Sequence, residues 1–558
     1  MKFLLPTSDK PHVRWGQLYG SATSLKLADA VQTLDAPLLV IAATARESSR
    51  LEDELRFFLP ANLQPLVIPG WETLPYDLFA PHPDIVSQRL STLSKLPALK
   101  RGIVIIDIDT AMQRFAPRSY LDAHAFDIEV GARLDLNSFR LQLAAAGYAN
   151  SSQVMSPGEF AIRGSLLDLF PTGNSTPFRI DLFDDEVETI RTFDVDTQRT
   201  IERVNQIKLL PAREFPLSAE GIQQFKRRFR TRFEGDLTRM PLYKDVGEGI
   251  APAGIEYYLP LFFDQTHHVF DYLPAGSVVA YDNDIESRLE SVWRDINDRY
   301  NQRAHDIERP VLSPDELFIA PDQFASLLKS HSHIELFSNE LDPHRQHISW
   351  QNFGSTTPPP VKLDARAAEP ARALMDHLKN YDGRTLIAAE STGRREMLLD
   401  ILRKHHIQAP TVNEWQAFAA TQTPLAITVS PIARGLQLKE PAITLLAEEQ
   451  LFGERARQER RRRRADRDPE KIIKDLSDLS IGSPVVHDEY GVGRYRGLIA
   501  MDAGGMQGEF LVLEYADGDK IYVPVQSLDL VSRYTGGAVD HAPLHKLGTD
   551  AWAKARKK

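Results

Sequence analysis

The chain has 558 residues, of which 42% are hydrophobic and 26% charged, and its formal net charge is −11. This composition is that of a globular protein, and the length corresponds to about three or four domains. The negative total excludes a generally basic nucleic-acid-binding protein, and the absence of cysteine excludes disulfides, thiolate metal sites and cysteine nucleophiles. No apolar run approaches the roughly 18 residues of a membrane span, so we expect a soluble, cytoplasmic protein.

Residues 1–125 alternate between buried-strand and helical patterns, which predicts a parallel α/β domain. We predict strands at 37–43, 66–68 and 102–107, with a helix at 85–96 before the last of them. Ligands of such folds bind beyond the carboxyl ends of the strands. A nucleotide would therefore have to be held by the first loop.

That loop, at 18–27, has some features of a phosphate-binding loop. A working loop reads G-x-x-x-x-G-K-[ST], with glycines for close backbone approach, a lysine for the phosphates and a hydroxyl for Mg²⁺. Gly20 is in place and Ser21 and Thr23 are nearby, but the second Gly-Lys-Thr is missing and Lys26 comes one turn too late. We interpret the segment as a degenerate P-loop, a tight turn and helix start without a bound cofactor.

Residues 157–199 read as four short strands in which apolar and polar residues alternate, which predicts an antiparallel sheet with one wet face. Arg179 and Phe183 in the third strand point away from the core, as does Arg163 in the first. An exposed Phe flanked by Arg is typical of a protein-binding hot spot. An ordinary solvated face has the same pattern, so the alternation alone leaves both interpretations open.

Residues 211–345 return to helices and strands that rejoin the first α/β domain, which makes 126–210 an insertion. Four apolar residues fall on one helical stripe, Ile222, Phe225, Phe229 and Phe233, and such a stripe is typical of core. The basic residues on the other side of this helix, within 226–232, fit a solvated face better than a phosphate site.

Residues 350–450 read as a second small α/β domain whose role the sequence does not reveal, with a stiff Pro-rich linker at 356–360. Glu448 and Glu449 follow its last strand, but no phosphate loop accompanies them, so we expect both to be solvated. The histidine pairs at 267–268 and 405–406 lack a third ligand at metal spacing, and no metal site is predicted.

The C-terminal part begins with a charged linker helix at 453–474, whose arginine run at 460–464 is flanked by acidic residues and fits a connecting helix better than a DNA-binding arm. Residues 475–545 contain short strands between glycine turns, which predicts a small, bent β-barrel. Ile499 and Met501 lie at an expected edge, where another strand can dock. Residues 546–558 begin a helix, which indicates a piece of a longer protein.

Several segments stand in the order found in the bacterial transcription-repair coupling factors. They are WETLPYDLFAPHPDIVSQRLSTL, AIRGSLLDLFP, RIDLFDDEVETIRTFDVDTQRT, PAGIEYYLPLFF, HDEYGVGRYRGL and YVPVQSLDLVSRYTGGA. On these motifs the chain resembles the N-terminal half of that family over essentially its whole length.

The resemblance implies a layout. It comprises a RecA-like, P-loop-type α/β body similar to UvrB, an inserted antiparallel β-rich domain that binds UvrA, a second small α/β domain, and a C-terminal Tudor/CarD-like β-barrel that binds RNA polymerase. The segment 76–88 leaves no room for the DNA-clamping hairpin of UvrB. The resemblance therefore implies that this part recruits partners rather than verifying damage. The ATP-driven DNA translocase motor of the family would follow residue 558, so ATP, Mg²⁺ and most DNA contacts would belong to it.

The same resemblance implies binding residues by positional match. The contacts with UvrA fall on Arg163, Arg179 and Phe183, the side chains that the alternation pattern places on the outer face. The contact with the RNA polymerase β subunit falls near Met501, beside Ile499.

Three functional hypotheses follow. The first is a non-catalytic adapter that binds UvrA and RNA polymerase. The second is a nucleic-acid-dependent ATPase, in which Lys26 and Thr23 would have to replace the missing loop residues. The third and weakest is a DNA-binding module acting through 460–464. The degenerate loop favours the adapter, so we do not expect this fragment to be an enzyme.

Overall fold

The structure is a computed structural model that describes residues 3–195, 197–363, 369, 371–452, 482, 484–487, 490–503, 506–524, 531–533, 544 and 546. The chain divides into two compact units, Met1–Glu454 and Arg455–Lys558.

The strands of the first unit build an α/β body, an inserted β domain and a second α/β domain. In chain order they are β1 (His12–Gly16), β2 (Pro37–Ala42), β3 (Leu66–Ile68), β4 (Gly102–Asp107), β5 (Phe126–Glu129), β6 (Ala149–Asn150), β7 (Glu159–Arg163), β8 (Leu166–Phe170), β9 (Phe178–Phe183), β10 (Glu186–Phe193), β11 (Thr200–Val204), β12 (Gln206–Leu209), β13 (Val278–Asp282), β14 (Ser332–Leu336), β15 (Ser349–Asn352), β16 (Ser355–Thr356), β17 (Arg384–Ala389), β18 (Leu425–Val429), β19 (Leu436–Leu438) and β20 (Ile443–Leu446).

The α-helices of this unit lie between and around those strands. In chain order they are α1 (Ala22–Val31), α2 (Ala45–Phe58), α3 (Pro83–Lys95), α4 (Ile108–Ala111), α5 (Arg118–Ala123), α6 (Leu136–Ala145), α7 (Ala219–Arg232), α8 (Pro241–Gly247), α9 (Ile285–Arg303), α10 (Pro314–Leu317), α11 (Pro321–Ser330), α12 (Arg372–Asn380), α13 (Thr392–Lys404), α14 (Trp415–Ala420) and α15 (Glu448–Phe452).

The body is a parallel seven-stranded sheet in the order β15-β1-β14-β13-β2-β4-β3. β2 and β4 are buried along their whole length, because helices cover both faces of a parallel sheet. Neighbouring residues of β2 accordingly enter different cores: Leu39 packs in one hydrophobic cluster and Leu38 in another. The parallel α/β layout predicted for the start of the chain is confirmed.

The apolar stripe of α7 enters the body core. Ser218 caps this helix by accepting a hydrogen bond from the backbone N–H of Gly221. Phe225 and Phe229 are fully buried, and Phe233 packs beside them in the same cluster. The interpretation of the stripe as core is confirmed for the three phenylalanines, while Ile222 is half-buried.

The inserted domain contains a six-stranded sheet in the order β11-β10-β9-β8-β7-β6 and a two-stranded sheet formed by β5 and β12. All pairings of the larger sheet are antiparallel except that between β6 and β7. The four strands predicted from the alternation pattern are β7 to β10. One face packs against α6, with Phe139 and Leu143 in contact with the core side chains of the sheet.

The second α/β domain is a five-stranded sheet in the order β16-β19-β20-β17-β18. The expected linker at 356–360 is wrong at its start, because Thr356 belongs to β16 and pairs with Gln437 of β19. This domain also shares a hydrophobic cluster with the body, in which Trp15 and Leu25 pack together with Ile432. The two domains are therefore joined by a common core rather than by a free linker.

The second unit, taken by itself, contains an antiparallel sheet. Its strands are β21 (Pro484–His487), β22 (Gly491–Ala503), β23 (Met506–Glu514), β24 (Lys520–Pro524) and β25 (Val531–Arg533), in the order β24-β23-β22-β21-β25. Val485, Tyr495 and Leu513 form part of its core. The predicted strands and turns are confirmed as an antiparallel sheet, while closure into a barrel is not among the pairings of the described residues.

Candidate protein-interaction sites

The outer face of the inserted sheet follows the predicted alternation. Along β9 the side chains of Ile180 and Leu182 are buried, whereas Phe183 is 76% exposed. Phe183 is the last residue of β9 and lies opposite Glu186 of β10. A large aromatic ring is thus held in water on a strand that has a neighbour on each side.

Arg179, on the same face, is much less accessible than its position in the pattern predicts. Its guanidinium makes two hydrogen bonds to the carboxylate of Asp168, of 2.7 and 2.9 Å, and lies 4.8 Å from the centre of the Phe193 ring. Its side chain is 17% exposed and that of Asp168 1%. The hydrogen bonds that Arg179 donates to Asp168 raise the pKa of Arg179. The expectation of a free outer-face arginine is therefore wrong for Arg179, which holds two strands together.

Arg163 is the more accessible arginine. Its side chain is 51% exposed, with one nitrogen 3.8 Å from Asp168 and another donating to the carbonyl of Ser152. Neighbouring charges are paired with each other, since Asp181 accepts hydrogen bonds from Arg191 and Thr189. Phe183 and Arg163 are thus the predicted residues that remain accessible to a partner.

Part of the outer face is apolar. Ala161 and Phe193 pack with Val154 and Phe170 in a small cluster separate from the main core of the domain. Part of the face that was predicted to be solvated is therefore apolar. The cluster packs against the Phe193 ring on which Arg179 stacks.

The degenerate P-loop is in contact with the second α/β domain. Gly20 has a φ of 56°, and a Cβ at this position would clash with the carbonyl oxygen of Gly435. Ser21 is fully buried and its hydroxyl has no hydrogen-bond partner within the described part of the chain. A carbonyl oxygen thus borders the turn that would have to accept a phosphate group.

Lys26 is also unavailable for a phosphate. It is 8% exposed, its ammonium lies 3.1 Å from Asp29, and the rings of Phe3 and Phe353 lie 5.6 and 5.7 Å away. Burial raises the pKa of Asp29 while Lys26 opposes that change. Thr23 is half-buried on the same helix. This geometry disfavours the ATPase hypothesis, which required Lys26 and Thr23 to contact phosphates.

In the second unit, Ile499 and Met501 lie in the later half of β22. That half pairs with β23, Ile499 opposite Phe510 and Met501 opposite Gly508, whereas β21 pairs only with the first residues of β22. Ile499 is 39% exposed, and of Met501 only the position in the strand is described. Among the described pairings, this half of β22 has one neighbour and presents an edge.

Among the other residues considered in the sequence analysis, the structure describes Glu448 and His268 but not the linker helix. Glu448 was expected to be solvated but is 9% exposed, accepting a hydrogen bond of 2.9 Å from the backbone N–H of Glu390. His268 lies 3.1 Å from Asp271, burial lowers its pKa, and the described residues contain no group of three potential metal ligands. The linker helix at 453–474, its arginine run and residues 547–558 lie outside the described residues.

The basic residues of α7 bind their own domain. Arg232 pairs with Glu316 at 2.8 Å, and Arg230 donates a 2.6 Å hydrogen bond to the hydroxyl of Tyr243. Arg228 pairs with Asp264. These three arginines, which were predicted to lie on a solvated face, are therefore paired with residues of their own domain.

The alternation pattern missed the Asp168–Arg179 pair. Its only signal in the sequence is a single Asp within the otherwise apolar β8, since the pairing depends on the cross-strand register that places Asp168 opposite Arg179.

The fold defines a multidomain protein with an α/β body, an inserted β-rich domain, a second α/β domain and a separate unit that contains an antiparallel sheet. Three segments match known families: residues 126–215 match the UvrB interaction domain, residues 377–451 the MFD D3 domain, and residues 479–535 the CarD-like/TRCF RID domain. Within the described residues, no helix is long and apolar enough to cross a membrane.

Relatives match the chain from end to end. It is 39% identical over 558 residues to the transcription-repair-coupling factor of Escherichia coli K12, covering 100% of this chain and 48% of the relative. The proteins of the same name from Haemophilus influenzae and Bacillus subtilis are 38% and 25% identical, over 99% and 97% of this chain and 48% and 46% of their own lengths. The chain belongs to the transcription-repair-coupling factor family, corresponds to its N-terminal half, and spans about half the length of these curated relatives.

Proposed function

We propose that this chain recruits UvrA through the outer face of the inserted sheet and the RNA polymerase β subunit through the second unit, and so couples stalled transcription to nucleotide excision repair. The observation that carries the UvrA part is Phe183, a 76% exposed ring on a rigid strand inside the segment that matches the UvrB interaction domain. The match to a CarD-like/TRCF RID domain supports the polymerase part.

The roles of the outer-face residues differ. Binding hot spots are dominated by aromatic and Arg anchors that become desolvated in the complex. Phe183 and Arg163 are accessible enough to act in this way, whereas Arg179 acts by fixing β8 against β9 through Asp168. UvrA recognition therefore depends on Arg179 mainly through the shape of the sheet.

The UvrA proposal is tested by titrating purified UvrA with the 558-residue chain carrying Phe183→Ala or Arg163→Ala. We expect each substitution to cost about 1–4 kcal/mol of binding free energy, the hot-spot range. Leu141→Ala is the matched control, because Leu141 is a 67% exposed apolar residue on α6 of the same domain. Equal affinity of all variants, or an equal loss in the control, would contradict the proposal.

The polymerase proposal rests on the edge formed by the later half of β22. Such an edge can add a strand of a partner through main-chain hydrogen bonds, and the apolar Ile499 and Met501 then supply side-chain selectivity. Met501→Arg would place an unpaired charge in that contact and should abolish capture of the β subunit, because burying an unpaired charge costs several kcal/mol. Lys520→Ala is the control for an exposed charge, with an expected effect of about 0–1 kcal/mol. If a folded Met501→Arg chain captured as much β subunit as the wild-type chain, the contact would have to lie elsewhere.

We further propose that the fragment contributes no ATP hydrolysis, and that ATP, Mg²⁺ and most DNA contacts belong to the remainder of the full-length protein. Phosphoryl transfer needs positioned cations, and Lys26 is paired with Asp29. An ATPase rate of the 558-residue chain that is saturable and disappears in Lys26→Ala would contradict this.

A further inference from the structure

A cleft of about 660 Å³ lies where the inserted domain joins the body. One wall consists of the end of α3 and the segment that leads into β4. The other wall consists of the turn at Thr172–Asn174 and part of β12, including Lys208. The proposed recruitment of UvrA uses neither wall.

The charge of this cleft is opposite to that of the chain. Lys95, Lys100, Arg101 and Lys208 line it and all four are exposed, while no Asp or Glu is among its lining residues. The chain as a whole carries a net charge of −11. The three lysines form no ion pair with any carboxylate of the described residues. A local concentration of unpaired cations in an acidic protein favours an anionic ligand.

The uncharged lining residues fit phosphate groups. Asn62, Gln64 and Asn174 supply amide groups beside the cations. Phosphate oxygens of nucleic acids are contacted by this combination of Lys, Arg, Asn and Gln side chains. The lining contains no aromatic residue, so the cleft lacks the stacking platform that single-stranded bases require. The chemistry therefore points to the backbone of a duplex.

The position of the cations also separates a duplex from an acidic peptide. Apart from the exposed Ala98, the apolar side chains of the lining are half-buried or buried, with Ile103 1% and Leu210 5% exposed, whereas the cations lie at the exposed margin. A duplex displays its charge on the outside of a stiff rod and can contact this margin without entering the cleft. A peptide would have to fill the apolar floor to gain comparable affinity.

The two walls are fixed relative to each other. The backbone N–H of Gly173 donates a 2.8 Å hydrogen bond to Ser87 of α3, which joins the two walls. The side chain of Asn174 donates one of 3.3 Å to the carbonyl of Lys208, which fixes the turn to β12 within the second wall. Cations contributed by the body and by the inserted domain are thus held in one arrangement before any ligand binds. Such preorganisation reduces the entropy lost on binding.

We propose that this cleft binds the phosphate backbone of double-stranded DNA without sequence preference. It is a third contact surface of the fragment, independent of those proposed for UvrA and RNA polymerase, and it would hold DNA where the inserted domain joins the body.

The test uses the 558-residue chain and a fluorescein-labelled 30-base-pair duplex of mixed sequence, with anisotropy measured between 50 and 200 mM KCl. Four phosphate contacts predict a slope of about −3.6 in log K against log salt, which is a loss of affinity of about 150-fold over this range. The triple variant Lys95→Gln/Lys100→Gln/Lys208→Gln should retain a slope of about −0.9, or about a 3- to 4-fold loss.

The matched control is Lys379→Gln/Lys404→Gln/Lys439→Gln, which removes the same charge from exposed positions of the second α/β domain. It should leave the slope of the wild-type chain unchanged. The single variant Lys208→Gln should lower the slope by about 0.9, and it provides the readout if the triple variant fails to fold.

Several results would overturn the proposal: no binding of the duplex at 50 mM KCl, equal slopes for the triple variant and the wild-type chain, or the same loss in the control. Two competitors define the ligand. If polyglutamate or ATP displaces the duplex at concentrations below those of unlabelled duplex, the ligand is an acidic peptide or a free nucleotide and the DNA assignment is wrong.

Discussion

Arg89 of α3 and Glu214, which follows β12, form an ion pair in which both side chains are almost completely buried. Arg89 Nε donates to Glu214 Oε1 at 2.6 Å, and Trp71 donates to the same oxygen at 3.1 Å. The guanidinium also lies 4.9 Å from the ring of Trp71 and 5.1 Å from that of Phe115. Because Glu214 lies where the chain leaves the inserted domain, this pair fixes that domain to the body.

Removing one partner of this pair should be costly. Arg89→Ala leaves Glu214 buried and unpaired, and breaking a buried pair in this way typically costs about 3–5 kcal/mol. We expect the unfolding midpoint of the first unit in urea to fall accordingly. The double variant Arg89→Met/Glu214→Leu should recover most of the loss, since it removes both charges. A double variant no better than Arg89→Ala would show that the packing of Arg89, and not its charge, holds the junction.

Arg179 and Asp168 should behave as structural residues. Arg179→Ala leaves the carboxylate of Asp168, 1% exposed, without its main partner, and should destabilise the inserted domain by about 3–5 kcal/mol. Arg163→Ala should change stability by about 0.5 kcal/mol or less, as surface substitutions do. Thermal unfolding followed by circular dichroism compares the two. Equal stability of both variants would show that Arg179 does not stabilise the inserted domain and behaves as a free surface group.

Glu256 should make stability depend on pH. Burial raises the pKa of Glu256 to about 7, with a further contribution from the charge of Glu214, and its Oε2 atom has no partner within the described residues. The folded state therefore binds a proton more tightly than the unfolded chain, so stability falls as pH rises from about 4.5 to about 7. Glu256→Gln should gain about 2 kcal/mol relative to the wild-type chain between pH 5 and pH 8.

The measurement is urea unfolding of the wild-type chain and Glu256→Gln at both pH values. Glu290→Gln, a substitution of a glutamate on α9 that has an exposed side chain, controls for the loss of one charge. The expectation fails if the difference between Glu256→Gln and wild type is the same at pH 5 and pH 8.

The sequence predicted the elements whose residues carry a local signal. The continuous apolar runs of β2 and β4 and the alternation along β9 depend only on which face each residue meets. Apart from Arg179, each pattern predicted the observed burial. Phe183 was predicted to be exposed for the same reason. The degenerate P-loop could also be recognised, because the absence of Gly-Lys-Thr can be read directly from a short stretch of sequence.

What the sequence could not predict depends on residues far apart in the chain. Arg179 and Asp168 meet through strand register, Arg89 and Glu214 are separated by the whole inserted domain, and Gly435 contacts Gly20 only once two domains pack together. The Pro-rich segment starting at Thr356 has the composition of a linker, but Thr356 pairs with β19. The surroundings of these residues are set by tertiary contacts, which leave no local signal in the sequence.

The central claim is that one chain presents two independent protein-binding surfaces, and a single variant tests it. The dissociation constants of Phe183→Ala for UvrA and for the RNA polymerase β subunit are measured by titration with the 558-residue chain. We predict that the variant binds UvrA at least about fivefold more weakly, a loss of about 1 kcal/mol or more, while its affinity for the β subunit is unchanged. Unchanged affinity for UvrA in the folded variant, or a parallel loss of both partners, would contradict the account.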